Sequence, residues 1–249
     1  MPFILEVCVD SVESAINAQI AGAGRVELCS DLTEGGITPG YGTIVSARNN
    51  LGIRLNVLIR PRGGDFLYSG LELDSMRRDI EMCGEAGVDG IVTGILQPGG
   101  AIDVERTAKL VEFAYPMSVT FHRAFDMCND PVQGLEDVIA TGAARLLTSG
   151  QKNHAVDGIE LIRQLVIQGG ERIIVMPGSG IDETNVALIA TATKATEFHL
   201  TARMTIDSEM IFRRQGISMG GVKGISEFSR KLADPDRIKS IVAILNSLN

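Results

Sequence analysis

Glutamate and cysteine stand two residues apart twice near the start of this chain, as Glu6-Val7-Cys8 and Glu27-Leu28-Cys29. Each pair lies in a short apolar run, so a carboxylate and a thiol share one face of what reads as a strand. A third run, Leu55 to Ile59, ends in Arg60-Pro61-Arg62-Gly63-Gly64-Asp65 and delivers two fixed positive charges and a carboxylate into a sharply turning loop. Pro61 cannot donate a ladder bond and the paired glycines permit positive φ, which stops that strand. Thr120-Phe121-His122, followed by Asp126, and Glu197-Phe198-His199 add imidazoles and further carboxylates at the ends of two later runs. Such a mixture suits two chemistries: proton transfer on a bound anion, or retention of a soft metal by the thiols.

The elements that must position these residues follow from periodicity. Short β-type runs alternate with helical ones about eight times: Ile4 to Cys8, Arg25 to Cys29, Leu55 to Ile59, Gly90 to Thr93, Ser118 to His122, Arg145 to Thr148, Arg172 to Met176 and Thr196 to His199, with helices between them. Leu73, Met76, Ile80 and Cys83 form an apolar stripe at helical spacing, Asp10 or Ser11 reads as an N-cap, and Asp130-Pro131 as a cap followed by proline. No hairpin signal interrupts the series, which predicts an α/β chain folded as a (β/α)8 TIM barrel, one domain over residues 1–249. After His199 the rhythm breaks, and Leu200 to Lys231 reads as an extended loop across one barrel end, before Asp234-Pro235 starts a last helix.

Composition narrows the partners. With 249 residues, a formal charge of −8 and no basic run longer than two residues, the chain lacks the basic stripe of a nucleic-acid binder. No apolar segment approaches the length of a membrane span, so a cytosolic protein is expected, with a homo-oligomer left open. Four scattered cysteines in such a compartment argue against structural disulfides. Cys83 reads as helix packing and Cys128 as a loop cysteine near Asp126 with room to be exposed.

In a barrel, residues two apart along a strand face the same way. Glu6, Cys8, Glu27, Cys29, Arg60, His122, Glu197 and His199 then share the inner face near the strands' C-terminal ends, where barrel enzymes keep their sites. Burying an ionised group costs several kcal/mol, so these groups are expected at an opening. The plainer alternative is a structural plug in which Arg60 neutralises Glu6 and Glu27. Met176-Pro177-Gly178-Ser179-Gly180 is a glycine-rich turn opening a helix at Asp182, suited to an anion at its backbone N–H groups, with Arg203 as the matching charge. Two readings result. In one, Cys8 and Cys29, on adjacent strands about 4.8 Å apart, hold Cu(I) between two thiolates. In the other, Arg60, Arg62, Asp65, Gly178, Ser179, Gly180 and Arg203 bind a small phosphorylated or carboxylated substrate. His122 or His199 then moves protons against Glu6, Glu27, Glu197 or Asp126.

LEVCVDSVESA at Leu5, RVELCSDLTEGGITPG at Arg25, IRPRGGDFLYS at Ile59, VTFHRAFD at Val119, LLTSG at Leu146, MPGSGI at Met176 and EFHLTAR at Glu197 together resemble the CutC copper-homeostasis family, over nearly the whole chain to about Arg203. The resemblance implies a (β/α)8 barrel, in agreement with the strand count, and implies copper handling with Cu(I) as the ion. Two positions depart from the family pattern. Ser179 stands where a third glycine is common, and Leu200 where some members have cysteine, leaving one thiolate fewer near the mouth.

Overall fold

The computed structural model describes residues 3–217, 219 and 226–248. Eight parallel strands form the sheet: β1 Ile4–Val9, β2 Arg25–Leu28, β3 Arg54–Leu58, β4 Gly90–Thr93, β5 Ser118–Phe121, β6 Arg145–Thr148, β7 Ile174–Pro177 and β8 Glu197–Leu200. Their order is β7-β6-β5-β4-β3-β2-β1-β8, and a parallel bridge between Gly178 and His199 brings the two ends together. The result is a nearly closed (β/α)8 barrel, as the alternation predicts.

The helices between the strands are α1 Val12–Ile20, α2 Tyr41–Asn50, α3 Gly70–Glu85, α4 Val104–Ala114, α5 Pro131–Ala140, α6 Ile159–Gly169 and α7 Val186–Thr193. Local chemistry sets their starts. Ser11, not Asp10, caps α1 by accepting from Ser14 N. Ser69 and Glu72 form a reciprocal capping box on α3, and Asp130, just before Pro131, accepts from the N–H groups of Val132 and Gln133. The α3 stripe buries Met76, Ile80 and Cys83, while Leu73 is half-buried. Between helices and sheet lies the main core, to which Leu5, Val7, Val26, Leu28, Phe121 and Phe198 contribute from the outward strand faces. Each such side chain contributes roughly 1.5–3 kcal/mol through burial.

Two expectations change. The turn after β7 does not open directly into a helix at Asp182: the Asp182 carboxylate accepts from Thr184 N in a turn, and α7 begins at Val186. The expected loop after β8 begins and ends as a hairpin, with β9 Arg203–Asp207 antiparallel to β10 Ser229–Ala233. Apart from Leu232 and Ala233 its short strands are half-exposed or exposed, which is why they carry no clear apolar alternation. The hairpin lies on the barrel's flank against α1, where Ala233 N donates to Ser14 Oγ (3.1 Å) and Asn17 Nδ2 to Ala233 O (3.2 Å). Residues 218 and 220–225 of that loop lie outside the described residues. Asp234 then caps the last helix, α8 Pro235–Asn246. No helix among the described residues is long and apolar enough to cross a membrane.

Candidate functional site

The inward strand faces stack in two layers. In the lower one, Arg25 lies between two carboxylates, paired with Glu6 and, at 2.5 Å, with Glu197. Arg145 adds a second cation on Glu197 (2.9 Å), and Asn56 Nδ2 donates to Glu6 Oε2 (3.3 Å). Two cations and two carboxylates balance, and each ion is buried with partners, as a low-dielectric interior requires. A structural plug therefore exists, but its cations are Arg25 and Arg145, not Arg60. Arg25 sits two residues before Glu27 and so on the same face. The period-two rule already points to it, although a strand's first residue reads more readily as a flanking charge.

One step up the same strands, the side chains surround a cavity of about 580 Å3 at the C-terminal mouth. Register explains who meets whom: β1 pairs Cys8 with Glu27 of β2 and Glu6 with His199 of β8. Cys8 Sγ lies 3.6 Å from Cys29 Sγ. His199 holds Glu6 Oε1 through Nδ1 (2.8 Å) and turns Nε2 toward Glu27 Oε2 (3.4 Å). One donor atom from each of Cys8, Glu27 and His199 lies within 4.8 Å of the others.

These groups shift one another's protons. Cys8 is brought down to about 6, chiefly by the hydrogen bond from Cys29 and then by His199, which together outweigh burial. Cys29, which shares its proton with that sulfur, is pushed well above the thiol range. Burial, then the neighbouring Cys8 thiolate, raises Glu27 well above the carboxylate range. His199 is held above its ordinary value because Cys8, Glu27 and Glu6 outweigh its burial. Burial raises Glu6, yet Arg25 and His199 together bring it down to about 2. The rim thus gathers groups that compete for protons: Cys8, Glu27 and His199 converge on one point, and Cys29 adjoins it through its contact with the Cys8 sulfur.

The cavity's other side differs. Arg60 (6% exposed) spends its guanidinium on main-chain carbonyls of Glu34, Gly36 and Gly64 at 3.1, 2.8 and 2.8 Å, and makes no ion pair among the described residues. His122 (6% exposed) accepts from Ala124 N through Nδ1 (3.2 Å), and burial followed by the Arg60 charge takes it down to about 3. A Cβ at position 94 would stand 2.6 Å from that Nδ1, so glycine is what admits the ring. Asp126 lines the rim and accepts from Arg123, Thr148, Ser149 and Gln151, which fastens the loops after β5 and β6 together.

Of the residues singled out from sequence, Cys8, Glu27, Cys29, Arg60, His122, Asp126, Ser179, Gly180 and His199 line the cavity. Glu6 and Glu197 lie beneath it in the lower layer. Gly178 bridges to His199 at the barrel seam. Ser179 holds a left-handed φ of +80°, secured by Oγ donating to Asn153 O (2.7 Å). Arg62 lies outside, paired with Glu72 and with the exposed Asp65. Arg203 is in β9, beyond the cavity lining. Cys128 is buried rather than exposed, because its sulfur packs beneath Gly134 of α5. Arg123 and Leu58 line the cavity too, and neither stands out by type.

Comparison with known proteins adds kinship. Residues 3–204 match the model of the CutC family. A family protein CutC of Chromobacterium violaceum is 48% identical over 241 residues, 97% of each chain. The human copper homeostasis protein cutC homolog is 46% identical over 246 residues, covering 99% of this chain and 90% of that one. The crystal structure of a CutC protein from Streptococcus agalactiae, 34% identical, superposes with a TM-score of 0.76 over 80% of this chain and 98% of its own. Thiamine phosphate pyrophosphorylase from Pyrococcus furiosus, 13% identical with a TM-score of 0.61, shares the fold.

Proposed function

This chain belongs to the CutC family of copper homeostasis proteins, and on that premise we propose that it is a cytosolic Cu(I)-binding protein whose ion sits between Cys8 and Cys29. The observation that carries this reading is the 3.6 Å separation of the two sulfurs beside His199 and Glu27. Metal–thiolate bonds of about 2.3 Å to sulfurs that far apart meet at an angle of about 100°. That bend leaves room for a third donor, which His199 Nε2 supplies once it gives up its proton. Its Nδ1–H stays on Glu6, the carboxylate–histidine arrangement that fixes a ligand's tautomer and orientation. Thiolates favour a soft ion, and copper, which is soft as Cu(I), is the metal named for the murine relative, a copper homeostasis protein cutC homolog.

A disulfide suits the same pair poorly. Cys8 registers with Glu27, so Cys29 lies two residues further along the neighbouring strand. A lateral step of about 4.8 Å and a rise of about 6.6 Å put the Cα atoms about 8 Å apart, beyond the range that a disulfide spans. The sulfurs converge while the backbones do not, which an inserted ion tolerates and a covalent bond does not.

The test is competition of the reduced protein against a Cu(I) chelator. Wild type is expected to take copper from the chelator with one equivalent bound, and the Cys8→Ser, Cys29→Ser double variant to lose that ability. Equal competition by the two proteins would remove the ion from these sulfurs.

A further inference from the structure

A single ion fills a small part of a cavity of about 580 Å3, a size typical of pockets for small organic molecules. What lies across from the thiols is a different kind of surface. His122 Nδ1 accepts from Ala124 N and therefore carries no hydrogen, which puts the proton of the neutral ring on Nε2. That Nε2–H is buried and has no partner, and neither has the buried Nε–H of Arg60. Unpaired buried donors are rare and each costs about 1–3 kcal/mol, so two lining one cavity call for an acceptor. Phe66 packs on both, its ring centroid 4.9 Å from that of His122 and 5.1 Å from Arg60 Cζ.

Charge selects the acceptor. The lower layer is balanced, and Arg123 is paired with Asp126 (2.7 Å). Arg60 remains as a buried cation met only by carbonyls. The exposed Glu34 at the rim is solvated and screened. One unmatched positive charge beside a neutral donor asks for one negative charge, where a phosphate dianion would bring two. Leu58, Leu147 and Phe66 offer apolar walls for the rest of such a molecule.

The geometry points to a second site in this barrel, separate from the thiol pair: a small organic monocarboxylate whose oxygens accept from His122 Nε2–H and Arg60 Nε–H. Both donors are closed to water in this conformation, so the carboxylate reaches them by turning the Phe66 ring aside. This goes beyond copper binding and does not depend on it.

The experiment uses metal-free, reduced protein with benzoate as probe and with benzamide and inorganic phosphate as controls. Benzoate is expected to raise the melting temperature in a saturable way and to move the His122 Nε2 nitrogen resonance, while benzamide does neither. His122→Phe keeps a ring over Gly94, and loss of one charge-assisted hydrogen bond should weaken benzoate by about tenfold or more. Cu(I) competition by that variant should match wild type, which separates failure of this site from failure of the copper reading. The nitrogen shift is read on wild type, so the test survives a variant that folds poorly. Absence of benzoate binding, equal binding by the His122→Phe protein, or phosphate binding in place of benzoate would each overturn the assignment.

Discussion

The two inward layers of this barrel are built largely by the same strands, yet they behave oppositely. Below, Glu6, Glu197, Arg25 and Arg145 are ionised, matched in number and in contact. Above, Cys8, Glu27, Cys29 and His199 crowd four proton-binding atoms together with no fixed cation among them. Arg60 and His122 face them with unused N–H groups. A two-residue step, about 6.6 Å of rise, separates a charge-balanced ion network, in which Arg25 Nη1 alone of the buried ion-pair nitrogens has no partner among the described residues, from a layer without matched charges. Closed charge pairs hold a fold, whereas unfilled donors and movable protons hold ligands. Glu6 joins the layers, since one of its oxygens takes Arg25 and the other His199.

The comparison can be broken from below first. Arg25→Met takes the shared cation from two buried carboxylates, leaving Glu197 on Arg145 and Glu6 on His199, and removal of one partner from such a network costs about 3–5 kcal/mol. Urea unfolding should show it, and a loss under about 1 kcal/mol would mean that the lower layer is not the structural one. Acid provides the next largest effect. Glu6 ionises at about 2 in the fold against 4.5 in the unfolded chain, so its contribution is fully present above pH 4.5 and disappears as pH falls through 2. That difference corresponds to about 3 kcal/mol. Stability curves of wild type and Glu6→Gln should therefore converge between pH 4.5 and 2, and parallel curves would deny the coupling.

The upper layer is sharpened by copper itself. At neutral pH Cys29 keeps its proton while Cys8 has lost its own, so binding must expel protons. Apparent Cu(I) affinity should rise by about tenfold per pH unit for each proton released, as measured by chelator competition from pH 6 to 8. Glu6→Gln, which leaves both thiols but loosens His199, should weaken copper by about 10–100-fold at fixed pH. The smallest effect serves as contrast. Arg237 pairs with Glu183 at 2.7 Å near the start of α8, on a partly exposed surface. Arg237→Gln should cost about 1 kcal/mol or less in the same urea assay, since solvent and salt screen such a pair.

What the amino-acid order determined by itself was the alternation. Runs such as Leu5 to Val7 and Val26 to Leu28 had to turn apolar side chains outward to the helices, which left Glu6, Cys8, Glu27, Cys29 and His122 facing in, because a strand's period is two. Eight such runs without hairpin signals sufficed for the barrel. The pairing of charges was not legible, because it depends on register between strands that are distant in sequence. Arg25 meets Glu197 across 172 positions, and the shear of the closed sheet rather than any local motif brings them to 2.5 Å. Arg62 and Arg203 carry the positive charges an anion would want, yet a loop pairing with Glu72 and Asp65 holds the one and the hairpin places the other beyond the cavity lining. Only the tertiary structure separated a charge-matched layer from an unmatched one, since burial and partnership are properties of neighbours, and neighbours in a barrel are chosen by closure.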